Sequence, residues 1–159
     1  CLIQRGRIVQ HGATGDVLTR PATVAAARLL DLPNLFTGTL ERDGAARTLR
    51  WGPHALALPA AADAEPAAGT AWTILPTKVL LHRVDRPSRG ERENPVRATV
   101  ADLVTLGDDV IARLVPEGLP DARLHLKLSL HVAQRNSLAP GREVTVSLLP
   151  DAIVPLAGE

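Results

Sequence analysis

The residues of this chain that could do chemistry are its histidines, its lysines and one pair of adjacent aspartates. No histidine lies three or four positions from another, the spacing that places two metal ligands on one helix face. His125 and His131 could share one strand face, either as ligands or as hydrated surface side chains. Asp108 and Asp109 follow Gly107, so they could be paired carboxylates or the turn of a hairpin. The histidines are His11, His54, His82, His125 and His131.

Sequence signatures of catalysis are missing. A phosphate-binding loop of the G-x-x-x-x-G-K-[ST] type needs a lysine after a glycine-rich turn, and neither Lys78 nor Lys127, the two lysines, follows one. The G-x-S-x-G and H-E-x-x-H patterns do not occur either. Cys1 is the single cysteine, which excludes an intrachain disulfide and fits a reducing compartment. We therefore predict that this stretch of chain is not an enzyme and carries no cofactor or metal of its own.

Composition excludes two classes of partner. Lysine and arginine total 18 against 17 aspartates and glutamates, a net charge of +1, so no excess of basic charge attracts nucleic acid. Phe36, Trp51 and Trp72 are the only aromatic residues, too few to form a stacking platform for bases. No apolar run approaches the roughly 18 to 20 residues that span a bilayer. The chain begins with Cys1 and contains no methionine, from which we expect a cut within a longer protein.

The apolar pattern predicts a short helical region followed by many strands. Residues 2–10 read as a hairpin turning at Arg5-Gly6, followed by a short helix before Pro21 and a second helix over 23–30. From Asn34 onward, short runs separated by turn residues predict small β-barrels. A helical turn is expected at 133–138. The predicted strands are 35–41, 48–51, 55–58, 71–75, 79–83, 96–106, 110–115, 123–130 and 144–149.

Two parts of the sequence resemble each other. Asn34 precedes Gly38-Thr39-Leu40 as Asn94 precedes Ala98-Thr99-Val100. Likewise, Ile74-Leu75-Pro76 is echoed by Leu148-Leu149-Pro150. Either two related halves or two hairpins that are similar by chance would produce this pattern. We favour a mainly β fold with two small OB-like barrel halves of five strands each.

The first third of the chain resembles the segment that closes the nucleotide-binding domain of ABC importer ATPases. It reads GRIVQHGATGDVLTRPATVAAARLLDLPNLFTGTL. The remainder resembles the transport-associated oligosaccharide-binding-type (TOBE) domain appended to such subunits, through Asn94, Leu106-Gly107 and Pro140-Gly141. The residues that match the ATPase segment are Gly6, Arg7, Ile8, Gln10, Gly12, Val17, Pro21, Ala25, Leu32 and Asn34.

The resemblance implies a division of the chain and a role for the whole protein. Residues 1–33 would be the end of the ATPase domain, and 34–159 the regulatory domain, with halves 34–84 and 94–159. The parent subunit would bind ATP and Mg, dimerise with a second copy of itself, and contact membrane permease subunits from the cytoplasmic face of the membrane. The phosphate loop and its lysine would lie before Cys1.

The subfamily that this sequence resembles most is that of the molybdate, tungstate and sulfate importers. In its molybdate-binding barrels, a T-S-x-R-N stretch donates hydroxyl, guanidinium and amide hydrogens to the oxyanion. The corresponding stretch here keeps the asparagine but has Glu91 and Glu93 at the serine and arginine positions, so a charged connector is the competing interpretation. An iron or polyamine importer, without solute binding by this domain, is the alternative. The candidate oxyanion ligands are Ser88, Arg89, Arg92, Asn94, Lys127 and Ser129.

Overall fold

The computed structural model describes residues 1–60, 65–82 and 93–158. The chain is mainly β, with two five-stranded antiparallel sheets that follow a hairpin and two short helices. One sheet forms a half-barrel and the other a nearly closed barrel, which confirms the predicted fold class. Within the described ranges, no helix is long and apolar enough to cross a membrane.

The N-terminal segment has the predicted hairpin and helices. In the hairpin, Arg5 and Gly6 both have a positive φ, of 48° and 75°, as a tight turn between two strands requires. The second helix begins after Thr23, whose Oγ1 accepts a hydrogen bond of 3.1 Å from the Ala26 amide. The elements of this segment are β1 (Leu2–Gln4), β2 (Arg7–Gln10), α1 (Thr14–Thr19) and α2 (Val24–Leu29).

In the described residues, ten further strands and one α-helix follow. Buried residues alternate with more exposed ones, most clearly in β9, so one face of each sheet is buried. They are β3 (Leu35–Asp43), β4 (Ala46–Trp51), β5 (His54–Leu58), β6 (Ala67–Thr73), β7 (Val79–Leu81), β8 (Pro95–Leu106), β9 (Asp109–Pro116), β10 (Leu124–Ser129), α3 (Leu130–Arg135), β11 (Glu143–Leu148) and β12 (Val154–Pro155).

The two sheets exchange their last strands. The first sheet has the order β12-β6-β3-β4-β5 and the second β10-β9-β8-β11-β7. β7 follows β6 through a 3-10 turn, Pro76–Lys78, and pairs with β11; β12 follows β11 through the turn Pro150–Ala152 and pairs with β6. The repeated sequence pattern therefore reflects two related halves. The chain passes from the first sheet to the second after Ile74-Leu75-Pro76, and from the second sheet to the first after Leu148-Leu149-Pro150.

A two-residue turn connects β8 to β9. Leu106 pairs with Asp109, which leaves Gly107, at φ 61°, and Asp108 as the turn residues. Of the two interpretations of the adjacent aspartates, the hairpin turn is therefore the one observed. The helical turn expected at 133–138 starts earlier, at Leu130, because Ser129 caps α3.

One apolar core joins the halves. It includes Leu40 and Trp72 of the first sheet with Val100 and Leu126 of the second. Phe36, Trp51 and Trp72 form one cluster within it, with ring centroids 4.7 to 5.1 Å apart. All three aromatic side chains thus stabilise the core rather than a surface.

Two glycines let the turn between β4 and β5 approach the loop after β9. A Cβ at Gly52 would lie 2.5 Å from Leu119, and one at Gly118 would lie 2.6 Å from Pro53. Nε2 of His54 also lies 2.8 Å from the carbonyl oxygen of Glu117. The corresponding loops of the two halves therefore contact each other directly.

Candidate functional site

Asn94, the candidate ligand that matches the asparagine of the T-S-x-R-N stretch, is buried between the two halves. Its side-chain oxygen accepts the Ala57 amide at 2.8 Å, and its Nδ2 donates to the carbonyls of Ala57 and Leu148 at 2.9 and 2.8 Å. It is 3% exposed and has a φ of 47°, in the left-handed region that asparagine tolerates. Both amide hydrogens are therefore already donated within the protein.

Asn34 is its counterpart in the other half. It precedes β3 as Asn94 precedes β8, and it is fully buried. Its Nδ2 donates to the carbonyl of His125 at 2.9 Å, and its Oδ1 accepts the amide of the same residue at 2.7 Å. Each asparagine thus pairs with the N–H and the C=O of one residue on the edge strand of the opposite sheet, β10 or β5. The repeated asparagine in the sequence was the signal for this arrangement.

The other described candidates also have partners. Nζ of Lys127 forms an ion pair of 2.9 Å with Asp109. Ser129 Oγ accepts the Val132 amide at 3.3 Å as the N-cap of α3. Both residues lie on β10, whereas Asn94 lies at the start of β8, and no hydrogen bond links Asn94 to either of them in the described part of the chain. Ser88, Arg89 and Arg92 fall outside the described residues.

A polar cluster that the sequence did not indicate lies where β7 and β11 pair. Nε2 of His82 contacts Ser147 Oγ, and that oxygen lies 3.4 Å from a Glu93 carboxylate oxygen. Burial lowers the pKa of His82, and the Glu93 carboxylate partly offsets this. The donor in the His82–Ser147 contact depends on the imidazole tautomer, and the single hydroxyl hydrogen of Ser147 has both His82 and Glu93 as possible acceptors.

The described ranges hold no group of three or more histidine, cysteine or carboxylate side chains that could bind a metal ion. The site that the geometry does define is the junction of the two halves. At this junction, the side chains of Asn34 and Asn94 form hydrogen bonds with backbone groups and hold the two halves together.

The N-terminal segment lies against the end of the chain. The Val24 amide donates to the Ala157 carbonyl at 3.4 Å, and the Ala157 amide donates to the Ala22 carbonyl at 3.0 Å. Ala26 and Ala27 of α2 are buried, whereas Ile3 and Ile8 of the hairpin are 61% and 64% exposed. One side of this segment is therefore packed, and the β1–β2 hairpin leaves large apolar side chains in solvent.

Comparison with known proteins places this geometry among characterised folds. Residues 72–156 match the model of the TOBE domain. A crystal structure of ModG, described as a cytoplasmic molybdate-binding protein with molybdate bound, is similar over 78% of this chain and 95% of its own, with a TM-score of 0.63 and 15% identity. No protein of curated function matches the sequence.

Proposed function

Since the chain belongs to the TOBE domain family, we propose that it is the regulatory and dimerising part of an ABC importer's ATP-binding subunit. The parent subunit couples ATP hydrolysis to solute uptake at the inner face of the cell membrane. Residues 1–33 are the end of its ATPase domain, and residues 34–159 are the appended regulatory domain.

The sequence and secondary structure of the first 33 residues are the main support for this proposal. They resemble the closing segment of an importer ATPase in order and spacing, and they have the hairpin and the two helices which that resemblance predicts. Their large apolar residues Ile3 and Ile8 are exposed to solvent in this chain. In the parent subunit, the preceding ATPase core would cover them, which would remove an unfavourable apolar surface from water.

The proposed cargo is an oxyanion such as molybdate or sulfate. The likeness to the oxyanion importers rests on Leu32-Pro33-Asn34 and on the polar segment before Asn94. The TOBE fold also occurs in a protein described as binding molybdate. Iron or polyamine uptake is the alternative cargo class for the same architecture.

One observation favours a domain that regulates without holding the solute at the predicted residues. The described candidate ligands are engaged by the protein itself: Asn94 by two peptide groups, Lys127 by Asp109, and Ser129 by α3. An oxyanion has only acceptors and needs free donors. It would have to displace these contacts, or to rely on Ser88, Arg89 and Arg92.

The reading frame upstream of the Cys1 codon tests the parentage. We expect it to encode a phosphate-binding loop with its lysine, an ABC signature sequence and a switch histidine. A start codon immediately before this chain, or an upstream region without those motifs, would refute the proposal.

Two binding measurements on the isolated chain complete the test. Equilibrium dialysis should detect no ATP binding at micromolar concentration, because the phosphate loop lies outside this chain; micromolar affinity would contradict the proposal. Calorimetric titration with molybdate, tungstate and sulfate decides between the two modes of regulation. Heat that saturates and that is lost in Arg92→Ala indicates an oxyanion sensor, and no heat at millimolar concentration indicates a module that does not bind its solute.

A further inference from the structure

A cavity of about 540 Å³ lies on the second half. Its walls come from β7, β8, β9, β11 and the loops that follow β9 and α3. Asn94, Lys127 and Ser129 do not line it. Cavities of this volume are in the range that holds small organic ligands.

Strand register places both signs of charge on the wall of this cavity. Arg97 lies opposite Thr145 on one side, and its carbonyl accepts the Glu117 amide on the other. Two residues further along β8, Thr99 lies opposite Glu143. Since these residues alternate with the buried Val96 and Ala98, their side chains share the outer face. Arg97 and Glu143 are therefore diagonal neighbours, which stand about 7 to 8 Å apart in antiparallel sheets.

These charges do not neutralise one another. Within the described ranges, no ion pair joins Arg97 or Arg142 to Glu117 or Glu143. Arg142 donates to the Ser137 carbonyl at 3.0 Å, which orients its guanidinium without cancelling the charge.

Elsewhere in the sheets, opposite charges on neighbouring strands do close on each other. Arg50 pairs with Glu41, and Arg113 pairs with Asp102, each at 2.7 Å. The cavity therefore differs from these two places on the sheets, because no ion pair in the described ranges joins its two arginines to its two glutamates.

We propose that this cavity binds a small zwitterion of the amino-acid or short-peptide class. The guanidinium groups of Arg97 and Arg142 face the ligand carboxylate, and the carboxylates of Glu117 and Glu143 face its ammonium group. An inorganic dianion would be repelled by the glutamates, and a polyamine by the arginines. This inference does not depend on the chain being part of an importer.

Calorimetric titration of the full chain with the twenty standard amino acids and with glycylglycine tests the proposal. At least one should bind at millimolar concentration or more tightly. Its amide, which lacks the carboxylate, and its deaminated analogue, which lacks the ammonium group, should both bind much more weakly. Molybdate and spermidine, which carry one sign of charge each, should not compete.

Variants locate the site. Arg97→Ala and Arg142→Ala should each weaken binding about tenfold or more, because each removes a charge-assisted contact. Glu143→Gln should weaken zwitterion binding too. Arg50→Ala, on the first sheet, makes the same change in net charge and should leave affinity unaltered. Absence of binding by every zwitterion, an affinity unchanged in Arg97→Ala, or stronger binding of molybdate or spermidine would overturn the proposal; thermal midpoints close to wild type show that each variant is folded.

Discussion

At the scale of single residues, the two buried asparagines are held by hydrogen bonds from both ends of their amide groups. Each replaces, with one amide group, the hydrogen bonds that an edge strand would otherwise make with a neighbouring strand. A buried peptide group left unpaired costs about 1 to 3 kcal/mol. Asn34 and Asn94 therefore stabilise the junction of the halves by satisfying the peptides of His125 and Ala57.

Replacing Asn94 should destabilise the fold strongly. We expect Asn94→Ala to lower the free energy of unfolding by about 3 to 5 kcal/mol, because buried peptide groups lose partners and alanine is strained at a positive φ. Asn34→Ala, where φ is not positive, should cost about 1 to 2 kcal/mol less. Urea denaturation measures both changes.

Two controls separate the causes. Asn94→Gly removes the amide, but glycine adopts a positive φ without strain. It should therefore lower the free energy of unfolding less than Asn94→Ala does. Asn136→Ala, which removes only the cap of α3, should cost about 1 kcal/mol. If Asn94→Ala were no worse than Asn136→Ala, the amide would not hold the halves together.

His125 makes stability depend on pH. Burial lowers its pKa from 6.5, with Arg113 contributing in the same direction and the Arg123 backbone and Asp102 in the opposite one. The unfolded chain therefore takes up a proton at a higher pH than the folded chain does. Stability that is present above pH 6.5 should be lost as pH falls through the folded-state pKa.

Thermal midpoints measured between about pH 7.5 and 5 check this. The acid-side decrease should be smaller in His125→Leu than in wild type, because the titrating group is gone. His131→Leu removes an exposed histidine and serves as the matched control. Equal pH dependence in wild type and His125→Leu would show that other groups cause the decrease.

The sequence indicated that these asparagines correspond to each other, but not what they contact. The repeated Asn34 and Asn94 were visible because they recur at the same distance from similar strands. Their role was not, because the partner peptides of Ala57 and His125 lie 37 and 91 positions away. A donor pattern typical of ligand binding can equally satisfy buried backbone, and only the packing of the halves distinguishes the two. The cluster of His82, Ser147 and Glu93 depends on another long-range pairing, that of β7 with β11.

At the scale of elements, the longer strands were predictable and the exchanged ones only partly. Alternation defines β8 and β9 over many residues, so their positions followed from the sequence. β7 has three residues and β12 has two, too few to show a period or to indicate which sheet they join. The proline-containing turns before these two strands were recognisable as a sequence repeat. The repeat did not indicate that each turn leads to a strand of the other sheet.

Truncation tests how far the N-terminal segment contributes to folding. A chain that starts at Asn34 should keep a cooperative thermal transition, because the core cluster and the side chains packed against it include no residue before Phe36. A chain that starts at Leu35 loses the Asn34 amide and should melt at a lower temperature. Both lose the contacts of Ala22 and Val24 with Ala157.

The comparison of the two truncations isolates one residue. Equal melting temperatures would show that Asn34 contributes nothing to the junction. Loss of the transition in both would show that the N-terminal segment and the barrels share one folding unit.

At the scale of the whole molecule, the exchange of β7 and β12 makes the two halves inseparable. Neither half can complete its sheet without a strand from the other, and the core runs through both. An apolar surface nevertheless remains on the outer part of the β8–β9 hairpin, where Val104 and Leu106 are 42% and 60% exposed. They lie on one face of β8, because they are two positions apart.

We expect the chain to form a two-fold dimer, since sheet edges and exposed apolar faces favour self-association and the proposed parent ATPase would act in pairs. Sedimentation velocity should show a concentration-dependent shift from monomer to dimer. Leu106→Asp should shift the equilibrium toward monomer if the β8–β9 hairpin is the contact. Ile8→Asp, on the surface that the proposed ATPase core would cover, changes a side chain of similar exposure and should leave the equilibrium unchanged. Only monomer at high micromolar concentration would mean that this chain does not dimerise by itself, and a response to Ile8→Asp alone would place the contact on the N-terminal hairpin.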